Sequence, residues 1–194
     1  MNEHEHSILI LNEWFPVFLN QFGPNHPHVR FAHFLRGQNL SALAQDEEAV
    51  TSILSAIELY QNAIPLNDDS LEASYQILGR YYRQQASPED TVHYWQLAAQ
   101  LRADVHGVMD PDRGVYLNYI AALRLEQEDW DQAEMLYLEA RNIFLHAPKE
   151  ARFWVLFVDK ALVDLYRARK QYIQAARYSA SYNFRVATIG LLHL

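Results

Sequence analysis

The chain has 194 residues, half of them hydrophobic, with 6 glycines, 7 prolines and no cysteine; the length suits one domain and the composition a helical one with a continuous core. Without cysteine there is no disulfide framework, thiolate metal site or cysteine nucleophile, which permits a reducing compartment. A net charge of −8 argues against general attraction to nucleic acid or to an anionic membrane, since both depend on basic patches.

Taken in order, Met1-Asn2-Glu3-His4-Glu5-His6 is acidic where a secretory leader is basic, and no segment reaches the length of a membrane span, so a cytoplasmic location is expected. Residues 7–21 are predicted as a helix with Ile8, Leu11, Trp14, Phe15, Phe18 and Leu19 on a wide apolar face, bent or interrupted at Pro16. Residues 27–44 and 46–63 form a helical hairpin, with Pro27 at the first helix start and Asp46 capping the second; Pro65 to Ser70 connects it to the next. Residues 70–85 and 88–105 are a second hairpin, whose later helix opens on Ser87-Pro88-Glu89-Asp90: a capping serine, proline at the first helical position and acid in the first turn.

After a connector at 107–113, Tyr116 to Gln127 sets Leu117, Ile120, Ala121 and Leu125 at helical spacing, and Asp129 with Gln132 signals a fresh start. The helix that follows carries Ala133, Tyr137, Ala140 and Ile143. Small residues at 121, 133 and 140 let the two helices approach closely, and Tyr137 fills the space beside them. A fourth pair, 149–170 and 172–190, closes the sequence.

These hairpins repeat. Ala49, Thr91, Ala133 and Ala175 stand 42 residues apart, and twelve positions upstream of them are Gly37, Gly79, Ala121 and Val163. Seven positions downstream are Ala56, Ala98, Ala140 and Tyr182; ten downstream, Leu59, Leu101, Ile143 and Arg185. A fixed period of this size marks hairpins that cannot bury their apolar faces alone and must stack on their neighbours.

Tyr75, Leu78, Gly79, Tyr82, Trp95 and Ala98, then Ile120, Ala121, Trp130, Ala133, Tyr137 and Ala140, and finally Leu162, Tyr166, Tyr172 and Ala175 give the chain a pattern that resembles the tetratricopeptide repeat (TPR) family. The interval of 42 is similar to the kinesin light chain variety, as is Gly23-Pro24-Asn25-His26-Pro27, which is similar to that variety's Gly-Pro-x-His-Pro joining segment. Arg36 departs from the pattern where an apolar residue is expected, and Ser179 and Tyr182 replace a large and a small residue. The resemblance implies an all-α, right-handed solenoid: a capping helix over 1–22 and four helix pairs over 23–65, 66–107, 108–148 and 149–194, all in a single domain of residues 1–194.

No glycine-rich phosphate loop, Gly-x-Ser-x-Gly or His-Glu-x-x-His occurs, so an enzyme is not expected and no cofactor is implied. His4 with His6 and His26 with His28 could in principle hold a metal, but paired histidines in a frayed end and a Pro-flanked connector are more often solvated. Tyr60, Tyr75, Tyr82, Tyr137 and Tyr166 fall at packing positions.

By resemblance to peptide-binding members, the first helix of each pair lines a concave groove. The positions facing it are Phe31, Phe34, Gln38 and Ser41; Ala73, Gln76, Arg80 and Arg83; Val115, Asn118, Ala122 and Leu125; and Phe157, Lys160, Asp164 and Arg167. The expected peptide-binding residues are Phe34, Gln76, Arg80, Arg83, Asn118, Lys160 and Arg167. Four cations and one acid in such a groove suit a protein or peptide partner with an acidic segment, and Gln76 and Asn118 can serve an extended backbone. The alternative is a structural or self-associating subunit. The stretch 173–194 is apolar on too many sides for a helix with one buried stripe, so either the natural chain continues past Leu194 or this face is covered by a partner domain or a second copy, of which a two-fold homodimer through 173–194 is the simplest closed solution.

Overall fold

The computed structural model describes residues 2–62 and 68–191, with residues 68 and 188–191 described by backbone alone. Residues 63–67, which include the end of the expected helix 46–63 and the first part of the expected connector 65–70, the side chain of Ile189 and residues 192–194 therefore lie outside the described residues. Nine α-helices, and no strand, occur among the described residues: α1 (Glu3–Phe22), α2 (Pro27–Ala42), α3 (Asp46–Gln61), α4 (Asp68–Gln84), α5 (Pro88–His106), α6 (Pro111–Glu126), α7 (Trp130–His146), α8 (Trp154–Ala168) and α9 (Tyr172–Leu191). They divide into two compact units, Met1–Ala98 and Ala99–Leu194, with the boundary inside α5.

Several boundaries differ from the sequence-based expectation. Pro16 lies within an uninterrupted α1. It and Asn12, whose carbonyl loses its amide partner, are both exposed, so water can take up the vacated acceptor. Asp46 is not a cap: Gln45 occupies that position without a side-chain bond, and Asp46, Glu47 and Glu48 act through the positive end of the α3 dipole. Ser87 donates its hydroxyl to Asp90 at 2.6 Å.

α6 begins at Pro111 because Asp110 caps it, accepting from the amides of Asp112 and Arg113, so the connector is shorter than expected. Asp129 caps α7 as expected, accepting from Gln132. Residues 149–151 form a separate 3-10 turn and α8 starts only at Trp154, whose ring stacks 5.9 Å from Phe144.

In the first unit, Gly37 lies against Ile53 and Gly79 against Trp95, each so closely that an added methyl group would meet the neighbour at less than 3 Å. In the second unit the core joins Leu117, Ala121, Ala133, Tyr137, Ala140 and Phe144 to Val158, Leu162 and Tyr166. Positions sixteen apart thus trade volume: glycine with isoleucine or tryptophan at 37/53 and 79/95, alanine with tyrosine at 121/137, valine with serine at 163/179.

The turn inside each hairpin carries the same period. Ala44, Ala86, Glu128 and Lys170 all have φ between 54° and 61°, the left-handed region, and all are exposed. In each case the next amide reaches back to a carbonyl five residues earlier: Gln45 to Leu40, Ser87 to Tyr82, Asp129 to Arg124 and Gln171 to Tyr166, at 2.8–3.0 Å. This is the Schellman closure that usually employs glycine. Four non-glycine residues adopt it at an interval of 42, so the repeat is written in the backbone as well as in the side chains.

Candidate functional site

In the first unit the inward stripe of α4, Leu71, Tyr75 and Leu78, is buried, which turns Gln76, Arg80 and Gln84 to the opposite, exposed side one turn apart. Gln38 and Ser41 at the end of α2 face them. Between lies an open cleft of about 360 Å³ whose polar lining includes Gln38, Ser41, Asp46, Gln76, Arg80 and Gln84. Arg80 and Gln76 make no side-chain hydrogen bond or ion pair among the described residues, although the Asp46 carboxylate lines the same cleft. Arg83 is exposed on the same helix and has interactions of its own.

Phe34 differs from its expected role. It is only 7% exposed, with its ring 6.2 Å from that of Phe31. Phe31 is the member of the pair that meets water.

In the second unit Asn118 is half-buried on α6, while Lys160 and Arg167 share one exposed stripe of α8. Lys160 is engaged by Asp164 one turn on, at 3.1 Å. Such an exposed pair contributes about 0–1 kcal/mol and yields readily to a competing anion. Arg167 makes no ion pair among the described residues and lines a cleft of about 460 Å³ with Tyr172, Ala176, Ser179 and Asn183. Phe157 is exposed, edge-on to Phe153 at 6.1 Å.

A polar network in this unit escaped the sequence reading. Asp159 of α8 is fully buried and accepts from Arg141 Nε of α7 at 2.6 Å and from Ser181 Oγ of α9 at 2.7 Å, with Arg185 Nε 3.8 Å away. The guanidinium of Arg141 also lies over the Tyr178 ring, which stacks on Tyr166. Tyr166 donates to Glu134 at 2.6 Å, and Glu134 in turn accepts from Arg169. Burial, reinforced by the bond to Glu134, holds the Tyr166 phenol well above its usual range. The available signal was Arg185, standing where three other repeats hold Leu59, Leu101 and Ile143.

At the start of α6, Arg102 grips the capping Asp110 with two parallel bonds of 3.0 and 3.1 Å. Burial alone would raise the Asp110 pKa, but the bonds from Arg102 and from the Arg113 and Asp112 amides together hold it below the usual carboxylate range. No group of three or more potential metal ligands occurs among the described residues, and no described helix is long and apolar enough to cross a membrane.

No family model matches the chain, and no curated protein matches it in sequence. Solved structures do. A Podosopora anserina protein described as a kinesin light chain with nearly identical TPR-like repeats superposes with a TM-score of 0.72 at 16% identity, over 97% of this chain and 89% of that one. The chain has a TPR-like repeat fold. BtubC (BKLC) from P. vanneervenii has a TM-score of 0.66 at 15% identity, over 92% of this chain and 71% of its own. A Rap protein complexed with Competence and Sporulation Factor gives 0.53 at 11% identity, covering 97% of this chain and 60% of that one. In TPR-like terms, the α2–α3, α4–α5, α6–α7 and α8–α9 pairs are the four hairpins; the Arg80 cleft is lined mainly by the first helices α2 and α4, whereas the Arg167 cleft takes Arg167 from α8 and the rest of its lining from α9, a second helix.

Proposed function

We propose that the protein is a protein-interaction scaffold whose clefts receive an acidic segment of a partner. The observation that carries this reading is Arg80, a guanidinium without an ion pair among the described residues, beside the equally uncommitted amide of Gln76 in an open cleft of a chain with net charge −8. Leaving a cation uncompensated in an acidic protein gives a ligand carboxylate a bidentate anchor, while the glutamine amides can donate to and accept from its backbone. Arg167 offers a second anchor of the same kind in the other unit. The fold similarity to a Rap protein complexed with a factor supports the reading at the level of architecture.

The test is fluorescence anisotropy with acidic and basic peptide pools. Acidic peptides should bind, added salt should weaken them, and the double variant Arg80→Glu/Arg167→Glu should lose roughly tenfold or more in affinity without a change in helicity. Equal binding of both pools, or an unchanged affinity in the double variant, would rule the reading out.

A further inference from the structure

α1 and α9 each keep an apolar stripe facing water, and the two stripes carry opposite charge. No residue of α1 is buried: Leu11, Phe15 and Phe18 are half-covered, while Ile10, Trp14 and Val17, at spacings of four and three, form an exposed outer stripe with Glu13 beside it. The charged residues of α1 are Glu3, Glu5 and Glu13, with no lysine or arginine. On α9 the exposed stripe is Ile173, Arg177, Ala180 and Phe184, at spacings of four, three and four; Ile173 is 85% exposed and Phe184 74%. Arg177 and Arg185 are its only charged residues, and it holds no acid.

We propose that α1 of one copy docks along α9 of another, Ile10, Trp14 and Val17 packing on Ile173, Ala180 and Phe184 while Glu13 meets Arg177. The occupant is a second copy because the complementary stripe is already in the sequence: an apolar face with an acid at its middle on α1, an apolar face with a base at its middle on α9. A two-fold contact of α9 on α9, as expected from the sequence, would set a purely basic helix on itself, and α1 on α1 would oppose acid with acid. Only the unlike pairing covers both apolar stripes with charges of opposite sign. Neither stripe includes Arg80 or Arg167, but Ala180 also lines the Arg167 cleft, so the docked copy borders that cleft while the Arg80 cleft shares no residue with the contact.

Sedimentation velocity over the micromolar range tests it with two variants at exposed positions, Glu13→Arg and Arg177→Glu, their helicity checked by circular dichroism. The wild-type protein should show a mass that grows with concentration, and each variant alone should need roughly tenfold higher concentration to associate, since attraction becomes repulsion. An equimolar mixture of the two should regain wild-type association, because wherever one variant meets the other, positions 13 and 177 again bring an acid against a base. A wild-type monomer throughout the range, association unchanged by either variant, or a mixture no better than its components would overturn the proposal. A two-fold α9 contact would reveal itself as indifference to Glu13→Arg.

Discussion

Gly79→Ala puts the close approach of α4 and α5 to the test. The added methyl group would stand 2.4 Å from both Cδ1 and Nε1 of Trp95 and 3.2 Å from Cε2. Carbon contacts relax at about 3.5–4.0 Å, so the indole must retreat by roughly 1 Å or more. At 5% exposure it is held by packed neighbours. Overpacking of this kind costs about 1–3 kcal/mol, and a rigid ring belongs in the upper part of that range. Replacing glycine by alanine inside a helix returns about 1 kcal/mol of propensity. The expected net loss is therefore about 1–2 kcal/mol, read as a lower midpoint in urea unfolding followed by circular dichroism. Gly37→Ala should lose a similar amount, because its added methyl group would meet Cγ1 and Cδ1 of the fully buried Ile53 at 2.5 and 2.6 Å and the backbone carbonyl of Ala49 at 3.2 Å, and a β-branched side chain in a helix has little χ1 freedom to yield. The double variant Gly79→Ala/Trp95→Tyr recreates the alanine–tyrosine pairing found at 121 and 137, and should be more stable than the sum of the single changes by about 1 kcal/mol. A Gly79→Ala protein as stable as wild type, or strict additivity in the cycle, would refute the packing argument.

Ala86→Gly and Lys170→Gly should each raise the urea midpoint, by up to about 1 kcal/mol, because glycine adopts the left-handed turn without a Cβ penalty; an unchanged or lower midpoint counts against strain at those turns. Asp159→Ala should destabilise by about 3 kcal/mol, since it strands Arg141 and Ser181, and a loss within the ordinary surface range would show the network to be dispensable. Burial, aided by the negative charges of Glu126 and Asp164, pushes Tyr137 up to about 12. The folded state thus keeps a proton that the unfolded chain releases near pH 10, so this contribution is complete below about pH 10 and disappears as pH rises through about 12. Urea midpoints across that window should fall by the equivalent of roughly 2–3 kcal/mol and fall less in Tyr137→Phe; identical profiles would exclude the phenol as the source.

Helix pairs and their interval were legible because packing leaves a periodic trace: the small columns at 37, 79 and 121 and at 49, 133 and 175 are buried, and at 37 and 79 even an added methyl group would meet its neighbour at less than 3 Å. Ends were less legible, since Asp46 and Asp110 look alike in sequence yet only Asp110 turns its oxygen to the helix amides. The left-handed turns were invisible because alanine, glutamate and lysine give no hint of positive φ. Among the groove positions that the TPR resemblance implied, Gln76, Arg80 and Arg167 are exposed and line clefts. Phe34 was misjudged because an aromatic residue one position off the core stripe can still fold its ring inward. The Asp159 network was missed because it joins side chains of three consecutive helices, 18 to 40 positions apart, and no spacing within one helix reports such a convergence.

The attachment of α1 bears on the order in which the protein opens. Its fixed point is Asn39 of α2, which donates to Ser7 Oγ at 3.1 Å and to the Leu35 carbonyl at 2.7 Å while its own oxygen lies 2.8 Å from His4 Nδ1. Beyond that there are ring contacts, Phe15 on His33 and Phe22 on His26, and no buried side chain at all. A helix held by one amide and a half-covered stripe is the cheapest element of its unit to release, so in native-state hydrogen exchange the α1 amides should become labile well before those of α2 and α3. Releasing it uncovers Asn39 and Ala32 but leaves the Gly37–Ile53 contact closed. The helix can therefore leave and return without unfolding the hairpin beneath it, and anything that clasps its outer stripe registers as slowed exchange in α1 alone.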